Sequence, residues 1–223
     1  APDRIAVYNY AHMPERFSSQ RQIDRYSLPE AKIKLMMIEL IQESLQAAGY
    51  VSIGMDHFAK EHDELAVALR AGTLQRNFQG YSTNLASDTI GIGLSAITSH
   101  NDRYVQNVND LKSYCSQLAQ SKLPIARKAE LNREDQLRRD IIMTLACQMQ
   151  IDIHYINDQY QLDFFEHFSP ELDQLTVMEE DGLLCISSDH ILLTESGQRL
   201  VRNICSVFDQ YQVNSPRQYS KAI

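Results

Sequence analysis

The sequence predicts an α/β fold that turns helical in its second half, and three observations carry that expectation. Strand-like and helix-like segments alternate up to about residue 105, apolar residues recur at helical spacing beyond it, and a helix, two short strands and a helix close the chain. With 223 residues, 43% of them hydrophobic and 22% charged, the chain is long enough for one large domain or two ordinary ones.

Taken in order, "RIAVYNY" (Arg4 to Tyr10) alternates and is β-branched or aromatic enough for a strand. "SLPEAKIKLMMIELIQESLQAAGY" reads as a helix in which Ser27 caps, Glu30 completes a capping box, Ala31, Leu35, Ile38, Ile41 and Leu45 form one stripe, and Gly49 stops the element. "YVSIGMDHFA" supplies a second strand and "DELAVALRAG" a second helix closed by Gly72. "DTIGIGLSAIT" (Asp88 to Thr98) supplies another strand, whose Gly91 and Gly93 leave positions empty, as where a backbone approaches a ligand or another chain segment. The alternation implies parallel strands with helical crossovers, and function in such sheets gathers at the carboxyl ends of the strands.

Beyond residue 105, "NVNDLKSYCSQLAQ" and "NREDQLRRDIIMTLACQM" read as helices, the second capped by Asn132. Pro124 and "SKLPIARKAEL" read as a linker, so a boundary within 105–125 divides a unit of residues 1–110 from one of residues 111–223. Ser169-Pro170 then opens a helix through Leu172, Leu175 and Met178, "LLCISSDHILLT" forms a hairpin, and "TESGQRLVRNICSVFDQY" returns to helix. That layout is winged-helix-like, but Glu166, Glu171, Asp173, Glu179, Glu180 and Asp181 argue against a groove-reading helix.

Net charge of −8 disfavours nucleic acid and anionic lipid as partners. No apolar run approaches a membrane span and the opening residues lack a secretory pattern, so a cytoplasmic protein is expected. Cys115, Cys147, Cys185 and Cys205 are too far apart for a CxxC-type ligand pair and read as buried, reduced thiols without a metal. No GxGxxG follows a strand, and neither a P-loop nor a GxSxG elbow is present.

Candidate chemistry therefore lies at strand ends. Tyr8, Tyr10, Ala11 and His12 lie where the first strand meets its loop; Asp56 and His57 end the second strand. An Asp-His pair suits acid–base work or a metal ligand with its supporting carboxylate, yet neighbours on a strand point to opposite faces and are not expected to act on each other. "RNFQGYST" sets Phe78 and Tyr81 around a glycine with no apolar periodicity to bury either ring.

"PDRIAVYNYAHMPERF", "GYVSIGMDHFAKEHDELAVALRAGTLQRNFQGYST", "IGIGLSAIT", "RRDIIMTLAC" and "DGLL…LTESGQRLVRNIC" together resemble the oxygen-independent coproporphyrinogen III oxidases, radical S-adenosylmethionine enzymes of haem biosynthesis. The resemblance runs in order along essentially the whole chain, and "MDHFA" and "RNFQGY" set it apart from the sister haem chaperones.

It implies the last β/α units of a three-quarter radical S-adenosylmethionine barrel followed by a helical domain. It also implies two S-adenosylmethionine molecules and a 4Fe-4S cluster held by a CxxxCxxC motif. That motif is absent from this sequence, so the chain corresponds to the carboxyl-terminal half of the family's proteins and is expected to be inactive alone.

Carried over by position, Tyr8 and Ala11 match residues at the second S-adenosylmethionine, where the family more often has Phe for Tyr8. Phe78, Gln79 and Ile97 match residues around the one bound to the cluster. Phe78 and Ile97 would wall the cofactor and exclude water, and Gln79 offers an amide donor and acceptor; none is a proton-transfer catalyst.

The implied reaction is oxidative decarboxylation of two propionates of coproporphyrinogen III to vinyls by a 5′-deoxyadenosyl radical, giving protoporphyrinogen IX. An electron donor and acceptor are needed that the sequence does not identify, and a monomer is expected. The substrate's four carboxylates call for rim cations, with Arg76, Arg103, Arg138 and Arg139 as candidates. The alternative is a non-catalytic module, haem-chaperone-like or a winged-helix binder.

Overall fold

The computed structural model describes residues 1–84 and 88–211, and their strands form four small sheets rather than a closed barrel. Strand β1 (Arg4–Ala6) is followed by helix α1 (Ala31–Ala47) and then by β2 (Tyr50–Gly54) and β3 (His57–Lys60). The order in this sheet is β1-β3-β2 with both pairs antiparallel, so the expected parallel crossover is not formed. Local geometry explains the difference. Gly54 (φ +149°) and Met55 (φ +48°) reverse the chain inside "YVSIGMDHFA", making two strands of it, and β3 then inserts between β2 and β1.

Helix α1 ends as its sequence implies, with Gly49 at φ +77°. Its start differs: Glu30 occupies the cap without a side-chain bond, while Ser27 donates its hydroxyl to the Asp24 carbonyl at 2.7 Å. Pro29 holds Leu28 extended, which leaves Ser27 too far upstream to cap. Of the predicted stripe, Ile38, Ile41 and Leu45 are half-buried while Ala31 and Leu35 are exposed.

Helix α2 (Glu64–Arg70) is capped by Asp63, which accepts from the Leu65 N–H, and is followed by Gly72 at φ +69°. A tight hairpin, β4 (Gln75–Asn77) and β5 (Gly80–Ser82), comes next. The third sheet is β6 (Ile97–His100), β7 (Arg103–Asn107) and β8 (Ile125–Glu130), with α3 (Leu111–Ala119) between β7 and β8.

Two expectations change here. The strand anticipated over Asp88 to Thr98 is confined to its end, because the segment before it folds back: Thr89 bridges Ser99, and a Cβ on Gly91 would lie 2.6 Å from the Ile97 carbonyl carbon. Asn107 holds that fold by donating to the Gly91 and Gly93 carbonyls at 3.2 and 2.9 Å. The anticipated linker is strand β8, whose six residues are all exposed, so no alternation betrays it; its Arg127 and Lys128 suit an edge strand.

In the remainder the predicted helix, hairpin and helix appear in order, with one short strand and two short helices added before them and the closing helix divided in two. Helix α4 (Arg133–Gln148) begins with a capping box in which Asn132 and Asp135 bond reciprocally. After it come β9 (Gln150–Asp152), α5 (Ile153–Tyr160), α6 (Phe164–His167), α7 (Ser169–Glu180), the hairpin β10 (Leu184–Ile186) and β11 (His190–Leu193), and then α8 (Glu195–Arg199) and α9 (Val201–Val207). Strand β9 returns to pair with β11, giving the order β10-β11-β9.

Helix α4 faces two cores. Leu145 and Ala146 belong to one, with Phe164, Phe168, Phe208, Leu175 and Ile204. Cys147 belongs to the other, with Ile53, Leu65, Leu74 and Tyr81. Each fully buried Phe contributes about 2–3 kcal/mol, whereas an exposed ion pair such as Arg103–Glu130 contributes less than about 1 kcal/mol. Burial on both sides of α4 therefore dominates the packing.

Candidate functional site

The β4–β5 hairpin turns on two residues, Phe78 and Gln79, and Asn77 shapes the turn by accepting the Gln79 N–H at 2.8 Å. Gly80 follows at φ +135°, a conformation that disfavours a side chain. Phe78 projects outward, 61% exposed, with its ring edge-on to Tyr104 of β7 at 5.2 Å. Gln79 is exposed beside it.

Tyr81 does the opposite. It is 9% exposed, and its hydroxyl donates to the Ala146 carbonyl of α4 at 2.7 Å. Burial pushes the phenol well above its usual range. Gly54 makes the passage possible, since a Cβ there would lie 2.3 Å from the Tyr81 oxygen. The expectation that Tyr81 lacks a core is thus overturned, and the reason is distance along the chain: its cover comes from a helix 65 residues away.

The Asp56–His57 expectation is also corrected. Asp56 lies in the β2–β3 turn rather than on a strand, so the two side chains need not diverge, and His57 Nδ1 lies 2.8 Å from Asp56 Oδ1. A carboxylate only accepts, so Nδ1 carries the proton. The other Asp56 oxygen accepts from Arg202 Nη2 of α9 at 2.5 Å, and the Asp56 side chain is only 13% exposed.

Around His57 the predicted site residues are partly assembled. Tyr8, just beyond β1 and 71% exposed, meets the His57 ring edge-on at 6.3 Å, and Tyr81 meets it from elsewhere at 5.3 Å. A Cβ on Gly80 would stand 3.4 Å from His57 Nε2, so the first residue of β5, next after the Phe78–Gln79 turn, lies beside this imidazole. Ala11 is half-buried; its carbonyl accepts from Gln20 Nε2 at 3.0 Å, while Gln20 Oε1 accepts the Met13 N–H at 2.5 Å, which pins the loop. Ile97 opens β6, half-buried, in the sheet whose β7 carries Tyr104. No hydrogen bond or ring contact joins any two of Tyr8, Ala11, Phe78, Gln79 and Ile97 directly among the described residues.

Beside Asp56 opens a cleft of about 320 Å³, lined by Ile38, Gln42, Met149, Arg199 and Arg202 among others. Of the four rim arginines, Arg103 pairs with Glu130, Arg138 with Glu134 and Glu171, and Arg139 with Asp140 and Asp102. Arg76, opposite Tyr81 and 5.6 Å from its ring, makes no ion pair among the described residues, and its Nε is buried without a hydrogen-bond partner.

Cys147 and Cys205 are buried as expected, and burial pushes their thiols up to about 11 and about 12. Cys115 and Cys185, however, are exposed, a correction that follows from their places on the outward faces of α3 and β10. Among the described residues no group of three His, Cys, Asp or Glu side chains is placed to hold a metal, so an iron–sulfur cluster does not fit this chain's own residues. No helix of the described residues is long and apolar enough to cross a membrane. Sequence reasoning missed Arg202 and Tyr104, whose roles depend on partners far along the chain and leave no local signal.

Residues 131–200 match the family model described as the HemN C-terminal domain. Proteins described as oxygen-independent coproporphyrinogen III oxidase match over the full chain: one from Salmonella typhimurium at 44% identity, covering 49% of that protein, and one from Thermostichus vulcanus at 45% identity, covering 69% of it. The chain spans about half the length of most of these curated relatives. A solved structure titled "Coproporphyrinogen III oxidase (HemN) from Escherichia coli is a Radical SAM enzyme" superimposes with a TM-score of 0.89 at 42% identity, over 95% of this chain and 49% of that one.

Proposed function

Since the chain belongs to the oxygen-independent coproporphyrinogen III oxidase family, we propose that it provides the carboxyl-terminal portion of such an enzyme, one that oxidatively decarboxylates two propionates of coproporphyrinogen III to vinyl groups. The observation that carries this reading is 45% identity over the whole chain to a relative of which it covers 69%. A non-catalytic module has no comparable support.

When bound, S-adenosylmethionine and a 4Fe-4S cluster would supply the hydrogen-abstracting radical chemistry, with cluster ligands drawn from outside these 223 residues. The chain's own residues fit the cofactor as walls. Tyr8 and Phe78 leave most of each ring uncovered, which suits an adenine or sulfonium, and two cofactor molecules would place Tyr8 and Ala11 at one and Phe78, Gln79 and Ile97 at the other. Phe78 and Ile97 keep water from the reacting carbon, Gln79 orients a polar group through its amide, and Ala11 lets a ligand come close. None of the five moves a proton.

In this reading the antiparallel sheets of the first half form the closing rim of a three-quarter barrel, with β8 counted in that unit because it pairs with β7. Residues from α4 onward form a helical cover with a winged-helix-like end, for which the order β10-β11-β9 speaks. The protein would work as a cytoplasmic monomer with separate electron donor and acceptor, and this stretch alone would be inactive.

The test is made in the full-length protein, where Gln79→Ala and Ile97→Asp should each lower turnover at least about tenfold with iron content unchanged. Unchanged turnover in both would remove the site assignment. Reconstitution of the 223-residue chain alone should yield no stoichiometric 4Fe-4S absorbance; a loaded cluster would overturn the division of labour.

A further inference from the structure

Between the two segments assigned to the cofactor lies a relay that the proposed reaction does not use. Arg202 of α9 donates to Asp56 at 2.5 Å, and Asp56 accepts a hydrogen bond from His57 Nδ1–H at 2.8 Å. The His57 ring has Tyr8 on one edge at 6.3 Å, while its Nε2 faces Gly80, the residue after the Phe78–Gln79 turn. Tyr81 closes another side at 5.3 Å and is itself tied to α4.

Each link constrains the next. A carboxylate that accepts from a guanidinium on one oxygen and an imidazole on the other makes two charge-assisted bonds, shorter and stiffer than neutral ones. With Asp56 so held, the imidazole cannot turn about its Cβ–Cγ bond without breaking the Nδ1 contact. Its plane then sets how near Tyr8 and the hairpin turn can stand to one another. Gly80 suits this place through its backbone at φ +135°, which strains any side chain, while a Cβ there would only touch the imidazole at 3.4 Å.

We infer that Arg202, acting through Asp56, makes His57 a positioning residue that holds Tyr8 and the Phe78–Gln79 turn in register for S-adenosylmethionine. The inference rests on the cofactor-wall reading of those residues. Arg202, Asp56 and His57 touch no reacting atom; they set the width of the site. They also link it to the cover, because Arg202 is on a helix whose other face is buried in the second-half core through Ile204 and Cys205. Shifting α9 would change the imidazole, and through it the cofactor's fit.

The experiment is equilibrium dialysis of S-adenosylmethionine against the full-length, cluster-loaded protein, alongside steady-state kinetics, iron content and thermal midpoint. Arg202→Met should weaken cofactor binding about tenfold and raise KM for S-adenosylmethionine equally, with kcat at saturation, iron and midpoint near wild type. Arg202→Lys should recover most of the affinity, because an ammonium still neutralises Asp56. Asp56→Asn, nearly isosteric, gives the second variant and should weaken binding in the same way. Equal affinity in both folded variants and wild type overturns the inference alone. A wild-type protein that binds no S-adenosylmethionine overturns the parent reading with it.

Discussion

The Tyr81 hydroxyl donates to the Ala146 carbonyl at 2.7 Å, joining a surface hairpin to the helix that both cores share. Tyr81→Phe keeps the ring and strands that carbonyl in a buried place, so stability should fall by about 1–2 kcal/mol. Urea denaturation should show a lower midpoint with an unchanged slope.

Gly54→Ala should be worse. Its Cβ would stand 2.3 Å from the Tyr81 oxygen and 2.8 Å from the ring carbon bearing it, on a backbone at φ +149°. A loss of about 2–4 kcal/mol is expected. In a double-mutant cycle with Tyr81→Phe the two effects should be strongly non-additive, as for any two residues in contact.

Thiol reactivity separates the four cysteines. At pH 8, Cys115 and Cys185 should react with a colorimetric disulfide reagent while Cys147 and Cys205, buried and with thiols held at about 11 and about 12, should not. Denaturant should release the second pair. Both folded values lie above the unfolded one, so the stability they contribute is complete below the ordinary thiol range and declines as pH rises through it toward the folded values.

Acid should act through Asp135. Burial would raise this carboxyl, yet bonds from the Tyr211 hydroxyl at 2.7 Å, the Asn132 N–H at 3.0 Å and the Gln210 amide at 2.9 Å hold it below the usual range. Its folded value is depressed, so its stabilisation is present above the unfolded value of about 3.9 and is lost as pH falls through the folded one. Asp135→Asn should lower the thermal midpoint at pH 7 and flatten its fall below pH 4. A variant with the wild-type acid profile would remove Asp135 from that role.

Helices α1, α2 and α4 were legible from local signals, although the Ser27–Glu30 box expected at the start of α1 does not form. Asn132, Asp63, Gly49 and Gly72 cap or stop their elements through bonds and dihedrals spanning a few residues. Strand pairing was not, because the direction of β3 is decided at Gly54 and Met55 and the existence of β8 by a partner 20 or so residues upstream. Of the candidate site, Tyr8 and Ala11 could be placed at a strand end and Phe78 stood out as a ring without apolar periodicity, while Gln79 and Ile97 were singled out by resemblance alone. Asp56 and His57 were noticed and misread, since strand alternation does not govern a turn.

Helix α4 gives Leu145 and Ala146 to one core and Cys147 to the other, and the core around Tyr81 cannot close until α4 exists. On a ribosome adding roughly 5–20 residues per second, the 65 residues between Tyr81 and Ala146 occupy several seconds. Throughout that interval Ile53, Leu74 and Tyr81 lack one wall. The nascent first half therefore carries an incompletely covered apolar cluster until α4 has been made, and slow codons before Ala146 would prolong its exposure.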